Sequence, residues 1–321
     1  MFDAISGEIE TGESYTVSIT IELDPDAVGA ITNADGEFEN IATAGGDDPS
    51  GNTITDESDD PTDATNSDPD GNNNPDDPTA LSFSSIGLEK QSTGLIPATS
   101  GVSGNFDVTY EFVITNTGST TLDNLTLNED FATQFGGAFV TTVGTPTITA
   151  GAGAVAPAAN AAFDGGTKDT NVLNGVSGEI DPGETITVSM VVELDPDAAT
   201  AVYNANGELE NQATTAADDP SGMSATDTSD DPTDASNTDA NGDGEPDDPT
   251  VLQIVDVDLV KTLAAQPVVA SSGTPGHLDV TFELTYTNTG SATLNNLSLT
   301  DDLASQYGGC LLYTSPSPRD S

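Results

Sequence analysis

Residues Val108 to Gly137 read VTYEFVITNTGSTTLDNLTLNEDFATQFGG, and Val280 to Gly309 repeat them as VTFELTYTNTGSATLNNLSLTDDLASQYGG. In the first copy Phe106, Val108, Tyr110, Phe112 and Ile114 fall at one parity, and Asp107, Thr109, Glu111, Val113 and Thr115 at the other. A period of two places one set on a core and the other toward water, the pattern of an antiparallel strand with one buried face. Asn116-Thr117-Gly118 then supplies turn residues, and Leu122 to Leu127 reads as a second strand. Outward from these lie further strand patterns at Ile86 to Gln91, Phe139 to Ile148, Ile186 to Leu194 and Glu208 to Thr214. About seven short strands with turn signals between them predict a β-sandwich. Helix is expected only as a turn at Asp130 to Phe135 and another after Asp195-Pro196-Asp197.

A second duplication sets the domain plan. SGEIETGESYTVSITIELDPDA (Ser6 to Ala27) returns as SGEIDPGETITVSMVVELDPDA (Ser177 to Ala198). The period is far too long for a solenoid unit, so the repeats are tandem domains. The expected division is the back part of one domain (1–46), an acidic linker (47–79), a whole domain (80–217), a second acidic linker (218–250) and the front part of a third domain (251–309). The fold class is therefore all-β: tandem antiparallel β-sandwich domains joined by acidic linkers. The two part-domains carry complementary portions of one sandwich, with Val17, Ile19, Ile21 and Phe38 inward, and pairing between them would bring Asn40 near Lys261. Residues 310–321 are set apart: Cys310 to Asp320, CLLYTSPSPRD, back-translates to a sequence resembling a transposase sequencing adapter and is treated like a tag. The only Cys and the only Arg leave with it, and with them any disulfide or thiol chemistry.

The charge is extreme. The chain has 55 acidic residues, 4 basic residues and one His, for a formal charge of −51, and such a chain repels itself unless cations screen or bind it. No basic surface exists to neutralise nucleic-acid phosphates or to meet an anionic membrane. No apolar run is long enough for a spanning helix. Of the 55 acids, 22 lie in the two near-identical stretches Asp47–Thr79 and Asp218–Thr250. General adaptation to high salt would spread them over the domains.

Each acidic stretch ends in a run resembling the calcium loops of EF-hands and thrombospondin type-3 repeats, with oxygen ligands on alternate residues and a glycine at the turn. The candidate ligands are Asp239, Asn241, Asp243, Asp247 and Asp248 in one, and Asp68, Asp70, Asn72, Asp76 and Asp77 in the other. Where an EF-hand loop ends in a bidentate Glu these have Thr250 and Thr79, which argues against a true EF-hand. Both stretches keep DDPSG, SDDPTD and PDDPT at fixed spacing, a register that a purely entropic spacer does not need. The expected cofactor is calcium, at the affinity of extracellular modules, about 0.1–1 mM. The plain alternative is a solvated, disordered linker.

The order of motifs resembles a known family. An opening strand ending in Lys (GLEK, DLVK), a YxxxxTNTG strand, an NLxLxxD strand, a PGE turn and a closing strand with Asn-x-Ala are similar to the DUF11-type Ig-like repeats of bacterial surface proteins. The resemblance implies a long extracellular or cell-surface bacterial protein whose repeats act as stalk or adhesive scaffold. Fold alone supplies no function.

No chemistry on an external substrate is legible. His277 lies in the loop SSGTPGHLD, and no nucleophile elbow, HExxH or phosphate loop occurs. One constellation differs. Lys90 and Lys261 occupy the same repeat position, each at the parity of the apolar face, and Asn211 and Asn40 also point inward. An inward Lys on the first strand, an inward Asn on the last and a carboxylate between them resemble the self-made Lys–Asn isopeptide crosslinks of Gram-positive surface domains. The candidate acids are Glu129 and Asp130, matched by Asp301 and Asp302; Glu111 faces outward. The plain alternative is a lysine that snorkels out to surface carboxylates beside a hydrogen-bonded Asn. The expected function is a calcium-rigidified structural stalk whose partners are calcium ions and neighbouring repeats. The alternative is an adhesive module gripping a glycan, mineral or surface ligand through sandwich loops or acidic arrays.

Overall fold

The computed structural model describes residues 7–23, 32–33, 36–65, 67–68, 74–166, 168–174, 177–240 and 246–312. The central repeat is built from strands β1 (Ile86–Pro97), β2 (Phe106–Asn116), β3 (Leu122–Glu129), β4 (Phe139–Ala150), β5 (Ala154–Val155), β6 (Glu179–Ile180), β7 (Thr185–Leu194), β8 (Leu209–Asn211) and β9 (Ala213–Asp218). One five-residue helix, α1 (Phe131–Phe135), follows β3, with the Asp130 carboxylate accepting from the Thr133 amide at its start. The chain after Asp195-Pro196-Asp197 makes turns and no helix.

Two antiparallel sheets enclose the core. One has the order β1-β2-β7-β4, and β2 and β7 pair over their whole length, Phe106 with Leu194 through Thr115 with Thr185. The alternation read from the sequence governs this sheet: Val108, Tyr110, Phe112 and Ile114 of β2 are buried with Ile186, Val188, Met190 and Val192 of β7. The facing sheet contributes Leu122, Leu125 and Leu127 of β3 and Ala213 and Ala217 of β9 to the same cluster. Each Phe or Tyr buried this way removes enough apolar area to contribute about 1.5–3 kcal/mol.

The acidic stretch departs from the expected linker. Residues Ser224–Thr228 form a further strand, β10, which pairs with β9 and completes the second sheet in the order β10-β9-β3-β6-β5. Thr250–Leu252 form β11, which returns to pair with β8. The stretch thus leaves the domain from one end of its last strands and comes back to them, and Asp227, Asp231, Asp247 and Asp248 are buried. Its twin does the same, with Thr43–Asp47 paired to Thr53–Glu57 and Phe38–Asn40 to Thr79–Leu81.

The repeated motifs have local reasons. In DDPSG the Asp219 carboxylate accepts from the amides of Ser221 (2.8 Å) and Met223 (2.9 Å). Hydrogen bonds led by the Ser221 hydroxyl hold that carboxyl at about 2. Asp48 does likewise for Ser50 and Asn52. Gly222 and Gly51 sit at φ +83° and +82°, where a side chain is strained. In SDDPTD, Asp231 and Asp60 accept from the amides and hydroxyls of Thr233 and Thr62. These are Asx turns, which fix aspartate spacing without any ion.

The pairing that the complementary part-domains would allow is not found among the described residues. Among the described residues no strand of 7–46 pairs with 251–309. Val17, Ile19 and Ile21 are exposed, and residues 14–23 form no strand. Their counterpart β7 is held between β2 and β4, and among the described residues of 7–46 no such partners are found. In the third repeat Val257–Leu263 pairs with Phe282–Asn288 as an isolated two-stranded ladder.

Candidate functional site

The two-residue period carries Lys90 inward from β1, where its side chain is fully buried beneath Tyr110, Phe112 and Phe131. Its Nζ lies 5.0, 5.2 and 5.5 Å from the three ring centroids. Glu129, the last residue of β3, is 1 % exposed and accepts from Lys90 Nζ at 2.5 Å through Oε2. Asn211, the last residue of β8, is 1 % exposed and donates from Nδ2 to the other carboxyl oxygen at 2.8 Å. One carboxyl group therefore holds the amine and the amide side by side. The sequence left the acid open between two residues; the structure brings Glu129 into the site, while Asp130 turns outward to cap α1. Glu111 stays off the site, accepting from Gln91 on the strand surface.

A buried ion pair is costly, because two charges leave water for a medium that compensates them only partly. Burial lowers the Lys90 ammonium from 10.5 to about 8, against the pull of Glu129. Burial also raises the Glu129 carboxyl, against Lys90 and the Asn211 hydrogen bond. Both shifts favour the same proton arrangement, a neutral amine beside a neutral acid. The Tyr110 hydroxyl, raised by burial and by the Glu129 charge, has no hydrogen-bond partner, and neither does Asn211 Oδ1. An unsatisfied buried acceptor costs about 1–3 kcal/mol, so the amide carbonyl is held in an unfavourable state beside the Lys90 amine.

The aromatic lid was not read from the sequence as part of the site. Parity put Tyr110 and Phe112 inward, but Phe131 comes from α1, whose position depends on the Asp130 cap and the loop Gly165–Gly166 against it. In the third repeat Lys261 meets Asp301 at 2.7 Å and lies 4.6 Å from the Phe282 ring centroid. Its side chain is 32 % exposed, and Asn40 lies exposed on its own short strand.

Of the candidate calcium ligands, Asn241, Asp243, Asp70 and Asn72 lie outside the described residues. Asp239, Asp247, Asp248, Asp68, Asp76 and Asp77 are described, and no three acidic, His or Cys side chains among the described residues cluster as a metal site. Asp248 instead accepts from the Ser236 hydroxyl and the Thr238 amide, and Asp247 from the Ala240 amide. Asp77 accepts from the Ser67 amide. These carboxylates close the loop by hydrogen bonds of their own. No helix among the described residues is long and apolar enough to cross a membrane.

No family model and no curated protein matches the chain. Among solved structures, a single-residue variant of BcpA, the major pilin subunit of Bacillus cereus, is similar at 10 % identity with a TM-score of 0.26. That match covers 78 % of this chain and 62 % of the pilin, less than two thirds of its length.

Proposed function

We propose that the central repeat is a load-bearing structural module of an extracellular stalk, locked by an amide bond between Lys90 and Asn211. The observation that carries this reading is the single buried carboxyl of Glu129 bonded to both partners. The neutral Lys90 Nζ attacks the Asn211 side-chain carbonyl carbon, while the Glu129 carboxyl holds the amide nitrogen that is to leave. The Nζ–C bond forms and the C–Nδ2 bond breaks. Glu129 relays a proton from Nζ to the leaving nitrogen, which departs as ammonia, and the carboxyl is restored. No oxidant or external reactant enters. The new amide is uncharged, which relieves the buried pair, and the reaction draws on proximity, the Glu129 proton relay and a dry pocket.

A crosslink here suits a stalk. It ties the first strand to β8, so tension entering at β1 leaves at β8 without loading the residues between. The motif resemblance to surface repeats and the absence of any legible substrate chemistry point the same way. Calcium is proposed for the acidic excursions: Asp231 and Asp248 close the base of one loop, backbone to backbone at 2.9 Å, gathering acids whose repulsion a divalent cation would screen.

Single-molecule stretching tests the locked module. An amide from Lys90 to Asn211 withholds the intervening chain, roughly 400 Å at full extension. The unmodified protein is expected to lack that extension and Glu129→Gln to release it. Full extension of the unmodified chain would exclude the lock.

A further inference from the structure

Both ends of the central repeat show the same junction. Between Thr79–Leu81, paired to the preceding repeat, and β1 there are only Ser82 to Ser85. At the far end only Gln253 to Asp256 separate β11, paired to β8, from the strand Val257–Leu263. Each connector is gripped by the Thr-Asn-Thr-Gly turn of the repeat it enters. At the first, the Ser119 amide donates to the Phe83 carbonyl (2.9 Å), the Phe83 amide donates to Ser119 Oγ (2.9 Å) and the Gly118 amide donates to the Ser85 carbonyl (3.2 Å). At the second, the Ser291 amide donates to the Ile254 carbonyl (2.9 Å), the Ile254 amide to Ser291 Oγ (2.9 Å) and the Thr289 amide to the Asp256 carbonyl (3.3 Å).

The glycine of the turn is there for space. A Cβ on Gly118 would meet the Phe83 carbonyl oxygen and the Ser85 nitrogen at 2.6 Å each, and one on Gly290 would run into the Ile254 carbonyl and the Asp256 nitrogen. Backbone cannot yield there as a side-chain end could. Each turn is also stiffened by its own asparagine: Asn116 Nδ2 donates to the Thr120 carbonyl and Asn288 Nδ2 to the Ala292 carbonyl. On the other side, the middle residue of each connector is apolar and seats on the preceding repeat. Phe83 packs with its ring centroid 5.3 Å from that of Phe38, the two rings tilted by 30°, and Ile254 is buried in one cluster with Leu209 and Leu252.

We propose that the Thr-Asn-Thr-Gly turn is a docking clamp for the preceding repeat, holding consecutive repeats at one fixed angle through backbone hydrogen bonds to a four-residue connector. The acidic stretch is then an excursion beside the junction, outside the path between domains, and the angle is set without a bound cation. Four residues held by ladders at both ends and by hydrogen bonds in the middle have no free dihedral range left for bending. The clamp is independent of the Lys90 crosslink, which lies within one repeat.

The test uses the full chain with Cys310→Ser and spin labels at Thr145→Cys and Thr262→Cys, read by pulsed electron paramagnetic resonance. A narrow distance distribution, identical with calcium and with chelator, is expected. Gly290→Val should widen it by on the order of 10 Å, the spread of a freely flexing connector of this length, while Gly309→Val, where nothing lies within 4 Å, should not. Should Gly290→Val unfold the third repeat, Ser291→Ala decides, since it removes only the acceptor for the Ile254 amide: a wider distribution supports the clamp. A broad distribution in the unsubstituted chain, narrowing only with calcium, would overturn it, as would unchanged width in Ser291→Ala and a folded Gly290→Val.

Discussion

The hydroxyl of Thr250 donates to the backbone carbonyl of Lys90 at 2.8 Å, from 160 residues further along the chain and out of reach of water. The end of the acidic stretch thereby seals the strand that carries the buried Lys90 amine. The Lys90 amide is in turn bonded to the Asp230 carbonyl at 2.7 Å, so both backbone groups of Lys90 depend on residues beyond Ala217.

A chain covering residues 80–217 should therefore be markedly less stable than one covering 80–256. It loses β10 and β11, opens the β9 edge and strands two buried backbone groups at about 1–3 kcal/mol each. Thermal melts of the two chains check this, and equal melting temperatures would mean that the excursion is no part of the folded unit.

Substitutions at the buried pair should separate packing from chemistry. Lys90→Ala leaves Glu129 buried without its partner and opens a cavity, and a loss of about 3–5 kcal/mol is expected in urea unfolding. Glu129→Gln keeps the shape and a hydrogen-bonding side chain but cannot shuttle a proton. It should stay folded and remain uncrosslinked.

Acid should slow the crosslinking reaction. Because burial brings Lys90 down to about 8, the neutral amine is the minor form below that pH and its share falls roughly tenfold per unit. Chain recovered in denaturant and refolded at graded pH should crosslink much more slowly at pH 6 than at pH 8, as followed by mass against time. A rate indifferent to pH would remove Lys90 as the nucleophile.

Calcium should protect the acidic excursion. Chelation is expected to increase protease cutting between Asp231 and Pro249, and Asp239→Ala combined with Asp243→Ala should imitate it. Equal cutting with and without calcium would leave the Asx turns and the Asp248 hydrogen bonds as the whole explanation of the loop.

The sheets were legible because two-residue alternation is strict wherever one face is buried, as in Tyr110, Phe112 and Val188. The same parity placed Lys90 and Asn211 inward before any contact was known. What escaped was the fate of Asp218 to Thr250. Its composition reads as a solvated spacer, yet Asp219, Asp231 and Asp248 turn their carboxylates to nearby amides, and the β8–β11 pairing joins strands of only three residues. No period shows in a strand that short. The choice between Glu129 and Asp130 also needed the structure, because it rests on where β3 ends and the α1 cap begins.

The most direct measurement is the intact mass of the folded chain after allowance for its initiator methionine. Condensation of Lys90 with Asn211 expels one ammonia, so the mass should lie about 17 Da below the sequence value and return to it, apart from the substitution itself, in Glu129→Gln. A folded, unsubstituted chain at its full sequence mass would contradict the proposed lock.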